Sequence, residues 1–281
     1  MSQEVGNKIT LSQNHIAQSR ESVLLIEWLS NSFNFSIYNE KTNQVVCSAV
    51  SNVYFDLFDY NEQEFNRLIA DEEVFQYSFK KTIALIDTSF FTLVPKTFHD
   101  RNKLEELLRF NVKIPSGNVV YKSEEILNSQ YFLVYALPKN ILKSLEKNFL
   151  NIQFKPLIEV LINQSCSSDE GSSLKCHVSP HSFIVVYTKD NQLIFANKFN
   201  YEAPEDLVYN VLNIYQQLGL SNELDALHLS GSIPKESDFF ELLYKYIRNI
   251  KFVAQSAKLN FEKDLEQMPS HYFSHHHQLF L

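Results

Sequence analysis

Apolar and polar positions along the chain fall into blocks whose period changes from place to place. Residues 23–29, VLLIEWL, are apolar at almost every position, the pattern of a strand covered on both faces. SFNFSIY, NEKTN and QVVCSAV follow; two apolar runs around a polar turn predict an antiparallel hairpin. Over 61–77, Phe65, Leu68, Ile69 and Phe75 recur at near-helical spacing behind Asn61, a residue suited to cap a helix. KTIALID (81–87) then reads as a buried strand. The predicted order is β-β-β-α-β.

The same order returns over 172–254. SLKCHVS (173–179) reads as a strand, and SFIVVYTKDNQLIF (182–195) repeats the hairpin of 32–46, SFNFSIYNEKTNQVV. APEDLVYNVLNIYQQLGL (203–220) predicts a helix. Pro204 stands in its first turn, Leu207, Val208, Val211, Leu212, Ile214, Tyr215 and Leu218 share one face, and Gly219 takes the C-cap position. ELDALHLSG (223–231) is the next strand, SDFFELLYKYIRNI (237–250) a helix and KFVAQ (251–255) a short final strand.

Between the copies, 88–171 predicts a strand at 90–95, a helix over 100–111 capped by Asp100, and strands near 118–122 and 131–137. A helix opens at Pro138, and 151–164 reads as a strand running into a helix. This organisation predicts a loose tail over 1–20 and a first domain over 21–163 that includes an inserted α+β subdomain at about 88–163. A linker over 164–173, a second domain over 174–255 and a C-terminal tail over 256–281 that docks on the body complete it.

Composition narrows the function. The 281 residues suffice for two domains, and 44 % hydrophobic content, with 23 Phe and 14 Tyr, supplies an aromatic core. A net charge of −8 disfavours direct nucleic-acid binding. The start, MSQEVGNKIT, lacks the apolar core of a secretory leader, and no run is long enough to cross a bilayer. Three cysteines without a CxxC pair suit a reducing compartment, so the expected location is cytoplasmic, without membrane insertion. Only five glycines are present, few for loops that bring backbone N–H groups against phosphates.

Other chemistry is thin. Cys176, His177 and His181 are close in sequence, but a strand followed by Pro180 does not give two-His helical spacing, and no fourth ligand is apparent. His275-His276-His277 reads as an exposed polar run, and no metal site is expected. His99 beside Asp100 is better explained by capping, Cys47 by burial in a strand, and no Gly-x-Ser-x-Gly elbow exists. No catalytic residue is assigned.

The twin hairpins, TLVP (92–95), YFLVYALPKNILKSLEKNF (131–149), LHLSGSIPKESDFFELLYKY (227–246) and Pro-Ser-His-Tyr-Phe (269–273) resemble a bacterial domain of unknown function, family 3822. That resemblance covers roughly residues 20–275. It implies an α/β protein with mixed sheets: duplicated β-β-β-α-β, ribonuclease H-like domains of the actin-like ATPase fold (actin, sugar kinases, heat-shock proteins), with an inserted α+β subdomain like that of pilus-assembly and secretion-platform members. Active members of the fold hold a nucleotide between domains, on acidic and glycine-rich turns. The resemblance places Glu27, Ser30, Ser182, Gly231 and Ser232 at the corresponding positions. Here the turns read IEWLSNSF, HVSPHSF and LSGSIP, and only Glu27 and Gly231 keep the expected residue types. Without acids on both sides, Mg²⁺ loses its anionic shell. The expectation is a non-catalytic, protein-binding or scaffold module with degenerate nucleotide loops, no cofactor and a protein partner. The alternative is a divergent nucleotide-binding switch or kinase-like enzyme that uses ATP and Mg²⁺ in the interdomain cleft.

Overall fold

The structure is a computed structural model. It describes residues 18–29, 33–51, 61–115, 117–127, 130–167, 171–263, 265 and 268–281. Internal contacts divide the chain into two units, Met1–Glu159 with Asn260–Leu265, and Val160–Leu259 with Glu266–Leu281.

In the first unit, β1 (Ser22–Trp28), β2 (Phe33–Asn39) and β3 (Gln44–Ser51) form an antiparallel meander. The turn between β2 and β3 is held by Asn39, whose Oδ1 accepts the N–H groups of Lys41 and Thr42, and Asn43 takes a left-handed φ of 53°. Helix α1 (Glu62–Asp71) is capped by Asn61, which accepts from the N–H groups of Gln63 and Glu64. It leads through a 3-10 turn to β4 (Lys81–Ile86), which pairs parallel to β1.

The inserted segment builds its own sheet from β5 (Phe91–Pro95), β6 (Val119–Ile126) and β7 (Tyr131–Pro138), in the order β5-β7-β6. Helix α2 (Leu104–Asn111) covers it and joins Leu108 to Val94, Val134, Ala136 and Ile114 in a separate small core. Helix α3 (Lys139–Asn148) and β8 (Ile152–Pro156) return the chain to the first sheet, where β8 pairs parallel to β4. The division between units falls within α4 (Leu157–Cys166).

The second unit repeats the plan with β9 (Ser172–Val178), β10 (Ser182–Lys189) and β11 (Gln192–Asn200), α5 (Pro204–Leu218) and β12 (Leu227–Gly231), then α6 (Asp238–Tyr244) and β13 (Ile250–Phe252). Asp190 and Asn191, both at positive φ, make the two-residue turn of its hairpin. Helix α5 starts at Pro204, and the Asp206 carboxylate accepts the N–H groups of Glu202 and Ala203. Those bonds hold the carboxyl below its ordinary range. Gly219, at φ 67°, ends the helix in a left-handed cap.

The strand order β11-β10-β9-β12-β13 matches β3-β2-β1-β4-β8 position for position, with the same mix of antiparallel and parallel neighbours. Phe33 and Phe183 stand at the start of the second strand of each meander, and both are fully buried.

Three details depart from the sequence reading. Helix α4 continues to Cys166 and β9 begins at Ser172, so both ends of the stretch expected to form a linker belong to regular elements, while 168–170 lie outside the described residues. Helix α6 stops at Tyr244 rather than running to residue 250, because the chain must turn to present Ile250 for pairing beside Leu227. The C-terminal region contributes a strand, β14 (Asn260–Phe261), parallel to β3, and a short helix, α7 (Ser274–Gln278).

Candidate functional site

Alternation along β9 and β12 gives the second sheet two unlike faces. Leu174, Cys176, Val178, Leu227 and Leu229 point into an apolar core with α5 and α6. Lys175, His177, His228 and Ser230 alternate with them. Three of these, Lys175, His177 and Ser230, line a small cavity together with Leu161, Gln164 and Ser165 of α4. Within this layer His177 Nδ1 lies 3.0 Å from Ser230 Oγ. Lys175 Nζ donates to the Gln164 carbonyl at 3.3 Å, a basic group at the C-terminal end of a helix.

The ends of β9, β10 and β12 meet in one place, because Val178 pairs with Phe183 on one side and with Gly231 on the other. Ser182, Gly231 and Ser232, three of the residues anticipated from sequence, are gathered there. Four backbone donors of these turns are already engaged. Ser179 N–H donates to the Ser182 carbonyl (2.8 Å), Ser232 N–H to Val178 (2.8 Å), Ile233 N–H to Gly231 (2.8 Å) and Gly231 N–H to His271 (2.9 Å). Pro180 has no N–H to offer, and the Tyr201 hydroxyl donates to the Ser179 carbonyl. Gly231 sits at φ 87°, so close to β9 that a Cβ would lie 2.2 Å from the Val178 carbonyl oxygen. The glycine is therefore required by strand packing as well as by its backbone angle.

The C-terminal segment lies against this place. His271 Nε2 is 2.7 Å from the Ile233 carbonyl, its ring packs on Phe252, and its own carbonyl accepts from Gly231. His275-His276-His277, expected as an exposed run, is buried, with His276 wholly removed from solvent and His277 3 % exposed. The run fails as a surface feature because α7 turns these rings inward, His275 onto His177 and His276 onto Phe273. Burial drives the pKa of His277 down to about 3, helped by its neighbours His276 and His275. His271 is lowered too, by burial first, with Lys235 adding to the effect and the Ile233 carbonyl opposing it.

A neutral His271 in the fold and a titrating one in the unfolded chain link stability to pH. The unfolded imidazole takes up its proton below about pH 6.5 while the folded one resists, so stability is full above that pH and falls as acid is added. The expected slope is at most about 1.4 kcal/mol per pH unit from this residue. Exchange of the Gly231 amide, bonded to the His271 carbonyl, should accelerate beyond the intrinsic pH dependence between about pH 6.5 and 5. A His271→Gln variant should lose that component; an unchanged profile in the variant would count against the assignment.

Glu27 is on β1 of the first unit, 1 % exposed, where its Oε2 accepts from Asn34 Nδ2 at 2.8 Å across the strand pair. Ser30 lies outside the described residues. Cys176, His177 and His181 do not assemble: Cys176 faces the apolar core, where burial raises its thiol pKa, His177 faces the other side, and His181 is exposed. Asp100 accepts from the Asn102 N–H at the head of the 3-10 turn before α2, and Cys47 is buried with its pKa pushed up to about 12. Sequence reasoning misses the buried histidines of the C-terminal segment; the one signal for them is their proximity to the aromatic residues Tyr272, Phe273 and Phe280.

Twin meanders, each extended by two parallel strands, together with strand-end turns gathered at one edge, define a protein of the actin-like ATPase fold. A Bacteroides thetaiotaomicron protein with that fold and unknown function aligns at TM-score 0.73 and 18% identity, over 94% of this chain and 97% of its own. The PilM-PilN type IV pilus biogenesis complex aligns at TM-score 0.62 and 12% identity, over 93% of this chain and 98% of the matched chain. The chain belongs to the family described as protein of unknown function (DUF3822), whose model matches residues 11–250. No curated protein matches it by sequence. Among the described residues, no helix is long and apolar enough to cross a membrane.

Proposed function

We propose that this protein is a non-catalytic member of the actin-like fold that works by binding another protein. The observation that carries the reading is the engagement of the backbone donors of Ser179, Gly231, Ser232 and Ile233 in bonds within the second unit. A phosphate cradle needs successive N–H groups directed at the ligand, and here each would have to break an internal bond first. Replacing such a bond brings little net gain, since a hydrogen bond exchanged for another is worth only about 1 kcal/mol.

The fold neighbour in the PilM-PilN complex is part of a protein–protein assembly, a use of this fold that the proposal shares. Phe98 and Phe110, 71 % and 90 % exposed in the inserted subdomain, are side chains that a protein partner would cover. Three unbridged cysteines, two of them buried, suit a cytoplasmic setting for that role.

Calorimetric titration with ATP and Mg²⁺ tests the reading. No saturable heat and no phosphate release are expected at millimolar nucleotide. Micromolar binding accompanied by hydrolysis would overturn the proposal in favour of a nucleotide-driven enzyme or switch. Quantitative pull-down from native extract, comparing the wild type with Phe110→Ser, then identifies the partner and asks whether the inserted subdomain holds it.

A further inference from the structure

The two hairpins match down to the residues that leave their turns. Asn43 and Asn191 both take a left-handed φ, 53° and 58°. Gln44 pairs with Asn39 as Gln192 pairs with Lys189, and Val45 with Tyr38 as Leu193 with Thr188. Both hairpins then shift register at the next residue, Val46 in one and Ile194 in the other. In the first unit this stretch is the seat of β14. Asn260 N–H donates to the Asn43 carbonyl (3.0 Å), Glu262 N–H to the Val45 carbonyl (3.0 Å), and Gln44 Nε2 to Glu262 Oε2 (2.8 Å). Phe261 stands beside Val45 in the register. In the second unit β11 ends its sheet, and no strand among the described residues pairs with its outer side. Gln44 is half-buried and Gln192 exposed; Val46 is 9 % exposed and Ile194 51 %.

We propose that the edge of β11 at 191–194 binds an extended segment of a partner protein, laid parallel to β11 and carrying an apolar residue followed by a glutamate. An open sheet edge takes a further strand through main-chain hydrogen bonds, and side chains decide which strand it is. The chemistry of the occupant is read from β14. By the equivalence of the hairpins, the carbonyls of Asn191 and Leu193 accept two N–H groups spaced two residues apart. The apolar residue lies beside Leu193, and the glutamate carboxylate accepts from Gln192 Nε2.

Two further features fit. Lys189 is exposed and stands opposite Gln192, where the first hairpin has Asn39. Directly paired residues share a sheet face, so the second edge sets a positive charge near the place of the carboxylate. Further along β11, Asn197 Oδ1 accepts the Lys198 N–H at 2.9 Å, which closes the edge there and leaves the end next to the turn for docking. This surface is distinct from the inserted subdomain, and the inference shares with the preceding proposal only that the partner is a protein.

The probe is a synthetic peptide of residues 256–265, SAKLNFEKDL, which contains the segment that forms β14. It is titrated into isotope-labelled full-length protein and followed by amide shifts in NMR spectra. The expected result is saturable shifts at 191–195 with a Kd of about 0.1–1 mM, since a few hydrogen bonds exchanged with water support no more. Gln192→Glu changes an exposed side chain and leaves the fold intact; it places like charges together and should weaken binding about fivefold. A peptide carrying Glu262→Lys should restore binding to that variant. Absence of shifts at 191–195 at millimolar peptide overturns the proposal, as does equal binding by wild type and Gln192→Glu. Shifts confined to 43–46 overturn it too, because the peptide would then be exchanging with β14. Neither the nucleotide titration nor the Phe110→Ser pull-down involves this edge, so failure here leaves the preceding proposal standing, and the reverse holds.

Discussion

Gly231→Ala is expected to destabilise the second unit by on the order of 4 kcal/mol, near the top of the range for single substitutions. Two costs combine. An alanine at φ 87° is held in a backbone region that side chains other than glycine's rarely adopt. Its Cβ would also stand 2.2 Å from the Val178 carbonyl oxygen and 3.0 Å from the carbonyl carbon, and these are strand backbone atoms that cannot swing aside. Relief requires β12 to move from β9, which strains the Ser232-to-Val178 hydrogen bond and the Gly231 bond to His271. Gly219 is the internal comparison. It has φ 67°, and a methyl group added there would meet nothing within 4 Å, so Gly219→Ala should cost only about 1 kcal/mol. Urea denaturation followed by circular dichroism, with amide exchange reporting on β9 and β12, measures both. Similar costs for the two variants would show that the close approach of β12 to β9 is not what demands glycine.

Phe33→Ala is the second large effect, expected at about 3–5 kcal/mol. Phe33 is fully buried at the start of β2 and lies within aromatic contact of Trp28 (5.9 Å), Phe65 (6.3 Å) and Phe75 (5.5 Å). Phe75 in turn meets Phe35 and Phe149, so these rings link β2 to the elements that cover it. Removing the central ring forfeits its burial and leaves a void that rigid neighbours fill poorly. Trp28 is the only tryptophan in the chain, so its fluorescence reads this unit directly. The variant should show a lower denaturation midpoint and altered emission from Trp28. A midpoint within experimental error of wild type would refute the view that Phe33 organises this aromatic cluster.

Much of the fold was legible because the signals are local. An apolar strand covered on both faces announces itself as a run such as VLLIEWL, and Asn61, Asp100, Pro204 and Gly219 mark helix ends by hydrogen bonds or backbone angles within a few residues. The twin hairpins were recognisable for the same reason. Asn43 in the first turn, and Asp190 with Asn191 in the second, all take the left-handed angles that Asn and Asp tolerate. The short form of α6 was less legible: its apolar spacing continues beyond Tyr244, but pairing of Ile250 with Leu227 prevails over helical propensity.

The candidate site divides the same way. Gly231 and its neighbours could be placed at a strand end from the sequence, since the strand preceding them is plain. That their N–H groups are engaged by Val178, Gly231 and His271 carbonyls could not, because those bonds join positions far apart or depend on a tight turn. The histidine run shows the limit most clearly. Polarity and position near the end of the chain favour solvent, and only the packing of α7 beside β12 places those rings in the interior.

By itself, then, the sequence determined the order of strands and helices, the caps and turns that bound them, and the scarcity of glycine where phosphates would be held. Tertiary structure decided which polar groups are buried together: His177 beside His275, the His271 carbonyl on Gly231, and Glu27 against Asn34. The physical reason is range. Period and capping are set by neighbours a few residues apart, whereas burial of a polar side chain depends on which distant element supplies its partner and excludes its water.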